Sequence, residues 1–509
     1  RDLHKEYRRQ RQMCIRDRDI LATFWALIAL IFYLYPDHRQ KRWTLALASL
    51  CYAMALLSKP AACITPLVAY ALVPKRVWQR PYVDILVLWV IVGVGAAVLN
   101  AKLQPAIENP FVVPWHLRPQ LALAALGFYA QKLVWPLGLA ADYGLTPVKL
   151  MRSVQLLGTG TIFAIFALRS LGLRLVVFGL LPTLGFVPFF YQAISAVADR
   201  YAYVAMLGPA VLLATWWRRG PQLHWALSAT VMTWATLSAL QLDHWSSRVA
   251  IARRMVSVNS QSWFGYFNWG SALLEKGDAE AARHYLEASI RLRPWFPDSH
   301  YNLALADVAI KDLPNAEEHL RANLHFAGDN ASALIWLGHV LALQSKYDDA
   351  DPFFRRGLQL APEHAGGRLH YAQMLRVQGR NDEALAQLEK VGPAGLTDPQ
   401  YHSLRGELYL VAGDADKAIE AYEQALVLGA ADANTYANLG IGYLRIKDYT
   451  RAEEVLQKAI ALDPYKPEPL HTMGLVLDAT GRRDEAIAVW TTASSQGFTP
   501  AINALRRAR

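Results

Sequence analysis

The side chains best placed for chemistry in this chain are charged and phenolic groups standing where apolar runs end. Arg200 follows Asp199 and precedes Tyr201 and Tyr203 at the head of an apolar run. A guanidinium held there can grip a phosphate through two parallel hydrogen bonds. It can equally anchor in a headgroup layer or pair with Asp199. Lys59 follows an apolar run and precedes Pro60. It is either a second phosphate contact or a lysine whose stem lies on apolar surface with its ammonium in water. Lys132 lies inside an apolar run, where it needs a partner, a polar cavity or an interfacial position. Asp142 and Tyr143 follow a Trp135-Pro136 turn; they contact a ligand or belong to a solvated loop. Tyr201 and Tyr203 hydrogen-bond a ligand or sit in an interfacial aromatic belt. No HExxH, Cys/His cluster, Gly-rich phosphate loop or Ser/His/Asp arrangement stands out, so no metal or nucleophile site is expected. Histidines such as His319, His325, His339 and His370 read as packed or solvated.

The elements that would position these groups are apolar. Between Asp19 and Leu242 charge is scarce, and runs recur at Ile20–Tyr35, Trp43–Leu57, Ala61–Val73, Val83–Leu99, Leu121–Val134, Val154–Leu168, Leu175–Tyr191, Tyr201–Trp217 and Leu223–Leu242. Several are shorter than the roughly 20 residues of a perpendicular span, and none alternates polar and apolar faces as a soluble helix does. The expectation is a multi-span membrane domain. Basic loops at Arg39–Arg42, Lys75–Arg80, Arg169–Arg174 and Arg218–Arg219 set the orientation. They share one side only if Leu121–Val134 enters and returns or lies in the interface. Lys59, Lys102–Met151, Asp199–Arg200 and everything after Leu242 then face outward.

The second half repeats. Ala282, Ala316, Ala350, Ala384, Ala418, Ala452 and Ala486 stand 34 apart. Gly270, Ala304, Gly338, Ala372, Gly406, Gly440 and Gly474 form a small-residue column; Leu286, Leu320, Phe354, Leu388, Tyr422, Leu456 and Trp490 form a large apolar one. Pro294, Pro362 and Pro464 stand where second helices should end. A 34-residue two-helix period resembles the tetratricopeptide repeat (TPR), which stacks into a solenoid. Seven repeats are expected over residues 263–498, with Asp243–Ser262 as a helical joint and Thr499–Arg509 as a polar cap. The fold class is therefore all-α, a multi-span helical domain followed by a TPR solenoid. In the TPR family the groove-facing positions map to Phe267, Ser271, Tyr301, Leu305, Ile335, His339, Leu369, Gln373, Glu407, Ala437, Ile441, His471 and Leu475. Their mixed character suits an extended peptide or a helix of a partner protein.

Residues 1–17, RDLHKEYRRQRQMCIRD, resemble a translated sequencing-library adapter and are left out of the fold. They account for three of the ten net positive charges; the remaining +7 gives no case for nucleic-acid binding. Of three cysteines, Cys14 lies in that segment, while Cys51 and Cys63 lie in apolar runs, so no disulfide framework is expected. The native chain is expected to begin near Arg18, inside a membrane domain.

Four segments carry a family resemblance. Arg18–Ala22 (RDILA) heads a run, Leu57–Pro60 (LSKP) ends one, Leu133–Tyr143 reads LVWPLGLAADY, and Leu180–Pro209 contains Ala198-Asp199-Arg200-Tyr201 with Tyr203. In this order, followed at once by TPRs, they resemble the transmembrane-and-TPR protein O-mannosyltransferase family and its bacterial relatives, which are GT-C type glycosyltransferases. The resemblance implies transfer of a sugar, mannose by the family's name, from a polyprenyl-phosphate carrier to Ser/Thr of an acceptor protein. It implies donor-phosphate binding by Arg200 and Lys59, with Asp199, Tyr201, Tyr203, Lys132 and Asp142 as further donor contacts. The family's catalytic carboxylate belongs to an earlier outer loop, so no catalytic residue is expected in this chain, and a divalent metal is expected only of the intact enzyme. The implied location is a bacterial inner membrane with the TPRs in the periplasm. Two rivals are a non-catalytic membrane-anchored TPR scaffold for envelope complexes and a glycan ligase or polymerase.

Overall fold

The computed structural model describes residues 21–34, 41–72, 82–103, 113–186, 195–198, 202, 204–392 and 395–508, and every regular element among them is helical. The chain divides into two compact units, 1–277 with 284–293, and 278–283 with 294–509.

In the first unit, α1 (Leu21–Leu34), α2 (Lys41–Ser58), α3 (Thr65–Leu72) and α4 (Tyr82–Leu103) share one core. Trp89 is its centre. Its ring stacks on Tyr52 at 4.7 Å and its indole N–H donates to Ser49 Oγ at 2.9 Å. Tyr52 and Tyr33 donate to the carbonyls of Trp89 and Tyr82, each at 3.0 Å, so the buried phenols are satisfied. A second core joins α5 (Arg118–Val134), α7 (Val154–Arg169) and α8 (Leu171–Leu180); the short α6 (Pro147–Met151) precedes α7. Helices α5 and α7 touch backbone to backbone. A Cβ on Gly127 or Gly160 would collide with the carbonyl of Leu156 or Leu123, the small-residue contact that lets helices approach closely. Next come α9 (Leu207–Trp217), α10 (His224–Ala239), α11 (Arg248–Val258) and α12 (Trp263–Lys276).

Two expectations change here. Helix α5 is unbroken for 17 residues, and Leu121, Ala124, Ala125 and Phe128 on it are buried. An enter-and-return path needs a break that this helix lacks. The expected run Leu175–Tyr191 and the basic loop before it also differ. Arg169 ends α7, Arg174 lies within α8, and Ser170 alone separates them. Helix α8 stops at Leu180 because Pro182 cannot continue it. Among the described residues one helix, over Tyr82–Leu99 with mean hydropathy 2.4, is long and apolar enough to cross a membrane; the other apolar helices are shorter.

The repeats form seven hairpins, α12 with α13 (Ala279–Leu292), α14 (Pro297–Ala309) with α15 (Leu313–Ala327), α16 (Ala331–Leu343) with α17 (Tyr347–Leu360), α18 (Ala365–Val377) with α19 (Asn381–Glu389), α20 (Pro399–Ala412) with α21 (Ala415–Val427), α22 (Ala433–Arg445) with α23 (Tyr449–Leu462), and α24 (Pro467–Ala479) with α25 (Arg483–Ser495). Helix α26 (Thr499–Ala508) follows and packs on α25, its Ala501 and Leu505 buried. Helices α13, α17 and α23 each end two residues before a proline. Within hairpins the small column receives the large one. A Cβ at Gly338 would lie 2.9 Å from the Phe354 ring, and one at Gly440 2.6 Å from Leu456. In the second unit ion pairs repeat with the period. Arg283–Asp312, Lys346–Glu317, Arg380–Asp351 and Arg482–Glu453 each link the start of one repeat's second helix to the next repeat's inner turn. That turn has a left-handed residue in all seven repeats, Gly277, Lys311, Ser345, Gly379, Gly413, Lys447 and Gly481.

Candidate functional site

The loop after α5 is tied to α11 and to Gln241 by several hydrogen bonds. Gln241 bridges it, accepting from Leu139 N–H at 3.3 Å and donating to Pro136 carbonyl at 2.7 Å. Arg254 Nε on α11 donates to Leu139 carbonyl at 3.0 Å. Asp142 is 2% exposed. Its Oδ1 accepts from Gly144 N–H at 2.7 Å and its Oδ2 from the Ser262 hydroxyl. Ser262 in turn caps α12, accepting from Gly265 N–H at 2.8 Å. Burial pushes the Asp142 carboxyl above the usual carboxylate range, opposed by bonds from Ser262, Gly144 and Asn259 and by the charge of Lys149. The loop is therefore built into the joint, and the solvated-loop expectation for Asp142 is replaced by a buried carboxylate with both oxygens engaged.

The same region holds residues 196 and 198, from the Leu180–Pro209 segment, against the flanks of Leu133–Tyr143. Tyr129, on the buried face of α5, donates to Ala198 carbonyl and accepts from Ala198 N–H, both at 3.1 Å. Ala196 N–H donates to Leu145 carbonyl at 2.8 Å. Lys132 Nζ donates to Leu137 carbonyl at 2.5 Å and lies 5.1 Å from the Tyr143 ring centroid, so its partner is the loop that follows it. Asp199, Arg200, Tyr201 and Tyr203 lie outside the described residues. Lys59 is half-buried. Its extended backbone, forced by Pro60, starts a short 3-10 helix at Pro60–Ile64. Among the described residues no three His, Cys, Asp or Glu side chains converge as a metal site would require.

In the second unit several expected groove residues are half-buried on first helices: Tyr301, Leu305, His339, Gln373, Glu407, Ile441 and His471. Ile335 and Leu369 instead belong to the core, Ile335 packing over Gly357 and Gly367. Phe267, in the first unit, is half-buried 6.3 Å from the Phe264 ring. The His339 and His370 rings stack at 3.9 Å beside Trp336. Burial, and then His370, pull the His339 imidazole down to about 3; burial lowers His370 as well. Farther along, α18, α20 and α22 enclose a hollow of about 600 Å³. Gln373 and Glu407 line it with Arg376, Ser403, Tyr422, Asn434 and Asn438. Arg376 pairs with Glu407 at 2.9 Å. Sequence reasoning missed Arg376, Asn434, Asn438 and Tyr422. The signal for Arg376 was its place three residues from Gln373 on the same helix. Gln241 and Arg254, more than 100 residues from the loop they hold, had none.

Tetratricopeptide-repeat family models match residues 267–333, 341–408 and 403–467. The chain thus carries tetratricopeptide repeats. It is similar to Protein O-mannosyl-transferase Tmtc1 of Drosophila melanogaster, 32% identical over 114 residues, and the match spans 21% of this chain and 13% of that protein. Among solved structures it is similar to a tetratricopeptide repeat protein from Parabacteroides merdae, at 16% identity and TM-score 0.37, covering 49% of this chain and 99% of that one. It is also similar to the second TPR domain of human RPAP3 in complex with an HSP70 peptide, at 25% identity and TM-score 0.21, covering 22% of this chain and 97% of that one.

Proposed function

We propose that this chain is part of a GT-C type membrane glycosyltransferase that moves a sugar, mannose by family likeness, from a polyprenyl-phosphate carrier to Ser/Thr of proteins held by its TPRs. The observation that carries the reading is that Tyr129 and Leu145, which flank the Leu133–Tyr143 segment, bond to Ala198 and Ala196. Tyr129 and Leu145 hold the chain immediately before Asp199-Arg200 against the loop that contains Asp142. The partial similarity to Tmtc1 supports the reaction class. Broad apolar exposure supports a lipid-facing surface over several spans: Ile91 on α4, Leu168 on α7 and Trp225 on α10 are 64%, 77% and 85% exposed. In this reading Arg200 and Lys59 bind donor phosphate, the TPRs lie on the outer, periplasmic side, and tethering raises the acceptor's local concentration.

A second reading, a non-catalytic membrane-anchored scaffold, has one observation behind it. The Asp142 carboxylate is occupied by Gly144 and Ser262. The test is sugar transfer from a polyprenyl-phosphate donor to a Ser/Thr peptide by the product of the intact gene in proteoliposomes. Transfer lost in Arg200→Ala, with thermal stability unchanged, is the expected result. Transfer retained in that variant removes the donor-phosphate role, and no transfer by the wild type leaves the scaffold.

A further inference from the structure

The hollow between α18, α20 and α22 has a composition that selects among peptides. Among the described residues its lining cation is Arg376, which donates through Nη1 to Glu407 at 2.9 Å and keeps a buried Nε without a hydrogen-bond partner. The second lining carboxylate, Asp432, caps α22 by accepting from Asn434 and Thr435 N–H. At the rim Lys466 Nζ donates to Asn434 Oδ1, so these four ionised groups sum to zero. The other polar lining is amide and hydroxyl, Gln373, Ser403, Asn438 and Tyr422 among it. Tyr422 is 1% exposed and brings its phenol to the floor beside Asn438; burial raises its pKa, so the O–H remains a donor. Upstream, the stacked His339 and His370 are neutral for the reason given above, and Gln373 lies 3.4 Å from His370 Nδ1. Inside the hollow the stretch offers many neutral donors and acceptors, and the cation not paired to a carboxylate, Lys466, stands at the rim on the Asn434 amide.

We propose that this hollow binds an extended, uncharged, hydroxyl-rich peptide segment and discriminates against acidic ones. The inference rests on the reading of the TPRs as the acceptor-holding part, and it names the acceptor class. Amide side chains donate and accept at once, which matches both a main chain and Ser/Thr hydroxyls. A carboxylate entering the hollow would meet Glu407 and Asp432, with Arg376 already shared with Glu407 and Lys466 no nearer than the rim. Specificity here comes from that repulsion as much as from the attractive contacts.

The test uses the full chain in detergent micelles and two fluorescein-labelled peptides read by anisotropy at low salt. One is built of Ser, Thr, Ala and Pro; the other has two of its Ser replaced by Glu. The neutral peptide should bind about tenfold or more tightly than the acidic one. Asn438→Ala should weaken the neutral peptide about fivefold or more. Glu407→Gln, which frees Arg376, should close or reverse the gap, with unchanged circular dichroism and melting temperature in both variants. Equal or tighter binding of the acidic peptide overturns the selectivity while leaving peptide capture intact. Binding of the neutral peptide that neither variant alters overturns the assignment to this hollow. If neither peptide binds, the acceptor-holding reading itself falls.

Discussion

Replacing Asp142 by Ala tests whether the loop after α5 is held by its carboxylate. The substitution removes the acceptor from the buried Ser262 hydroxyl and the part-buried Gly144 N–H, and from the Asn259 side chain at the edge. Each donor left unsatisfied costs about 1–3 kcal/mol. Against this, a carboxylate whose burial raises its pKa no longer has to be desolvated, which returns part of the loss. The net local destabilisation is about 2–4 kcal/mol. Asp142→Asn keeps an acceptor for Gly144 and lets the Ser262 hydroxyl proton rotate away, so it should cost no more than about 1 kcal/mol. A chain of two compact units need not unfold in one step, so a melting temperature does not isolate the opening of this one loop. Native-state hydrogen exchange at Gly144 and Gly265 reports the local opening instead. In Asp142→Ala their exchange should accelerate about 30- to 1000-fold, and in Asp142→Asn about fivefold or less. Unchanged exchange in Asp142→Ala would refute the reasoning and leave the loop held by Gln241 and Arg254 alone.

The remaining predictions concern the repeats and the donor site. Lys311, Ser345 and Lys447 have φ of 66°, 61° and 65° at the turn where four other repeats have glycine; each change to Gly should stabilise by about 1 kcal/mol, read as a higher melting temperature. Gly440→Ala should destabilise by about 1–3 kcal/mol, because a Cβ there meets Leu456 at 2.6 Å; a melting temperature equal to wild type would show that Leu456 can move aside. Because burial depresses the His339 pKa to about 3, the unfolded chain takes the proton first. Its contribution is complete above about pH 6.5 and is lost as pH falls toward 3, reaching about 2 kcal/mol at pH 5; His339→Gln should flatten the fall in melting temperature between pH 7 and pH 5. Arg200→Ala should abolish sugar transfer in the intact protein without changing its stability.

Sequence alone determined the repeat. A 34-residue spacing is local chemistry written seven times, a small residue against a large one, with a breaking proline added in three of the repeats. Each unit folds on its neighbours, so the pattern needs no distant information. The column of left-handed turn residues was equally present, but Lys311, Ser345 and Lys447 carry no glycine to mark it. The apolar runs likewise announced helices, since hydropathy is read residue by residue, yet not their ends. Pro182 stopped α8 and Ser170 alone parted it from α7.

Only the tertiary structure decided which polar groups meet. Asp142 looked like a solvated carboxylate because its partner Ser262 is 120 residues away. Gln241, Arg254 and Tyr129 likewise act across distances that carry no periodicity. Ile335 left the groove for the core because its helix phase turns it onto Gly357 and Gly367, and Leu369 is likewise buried in that core. A hydrogen bond depends on positions good to a fraction of an ångström, and those positions exist only once the chain has packed.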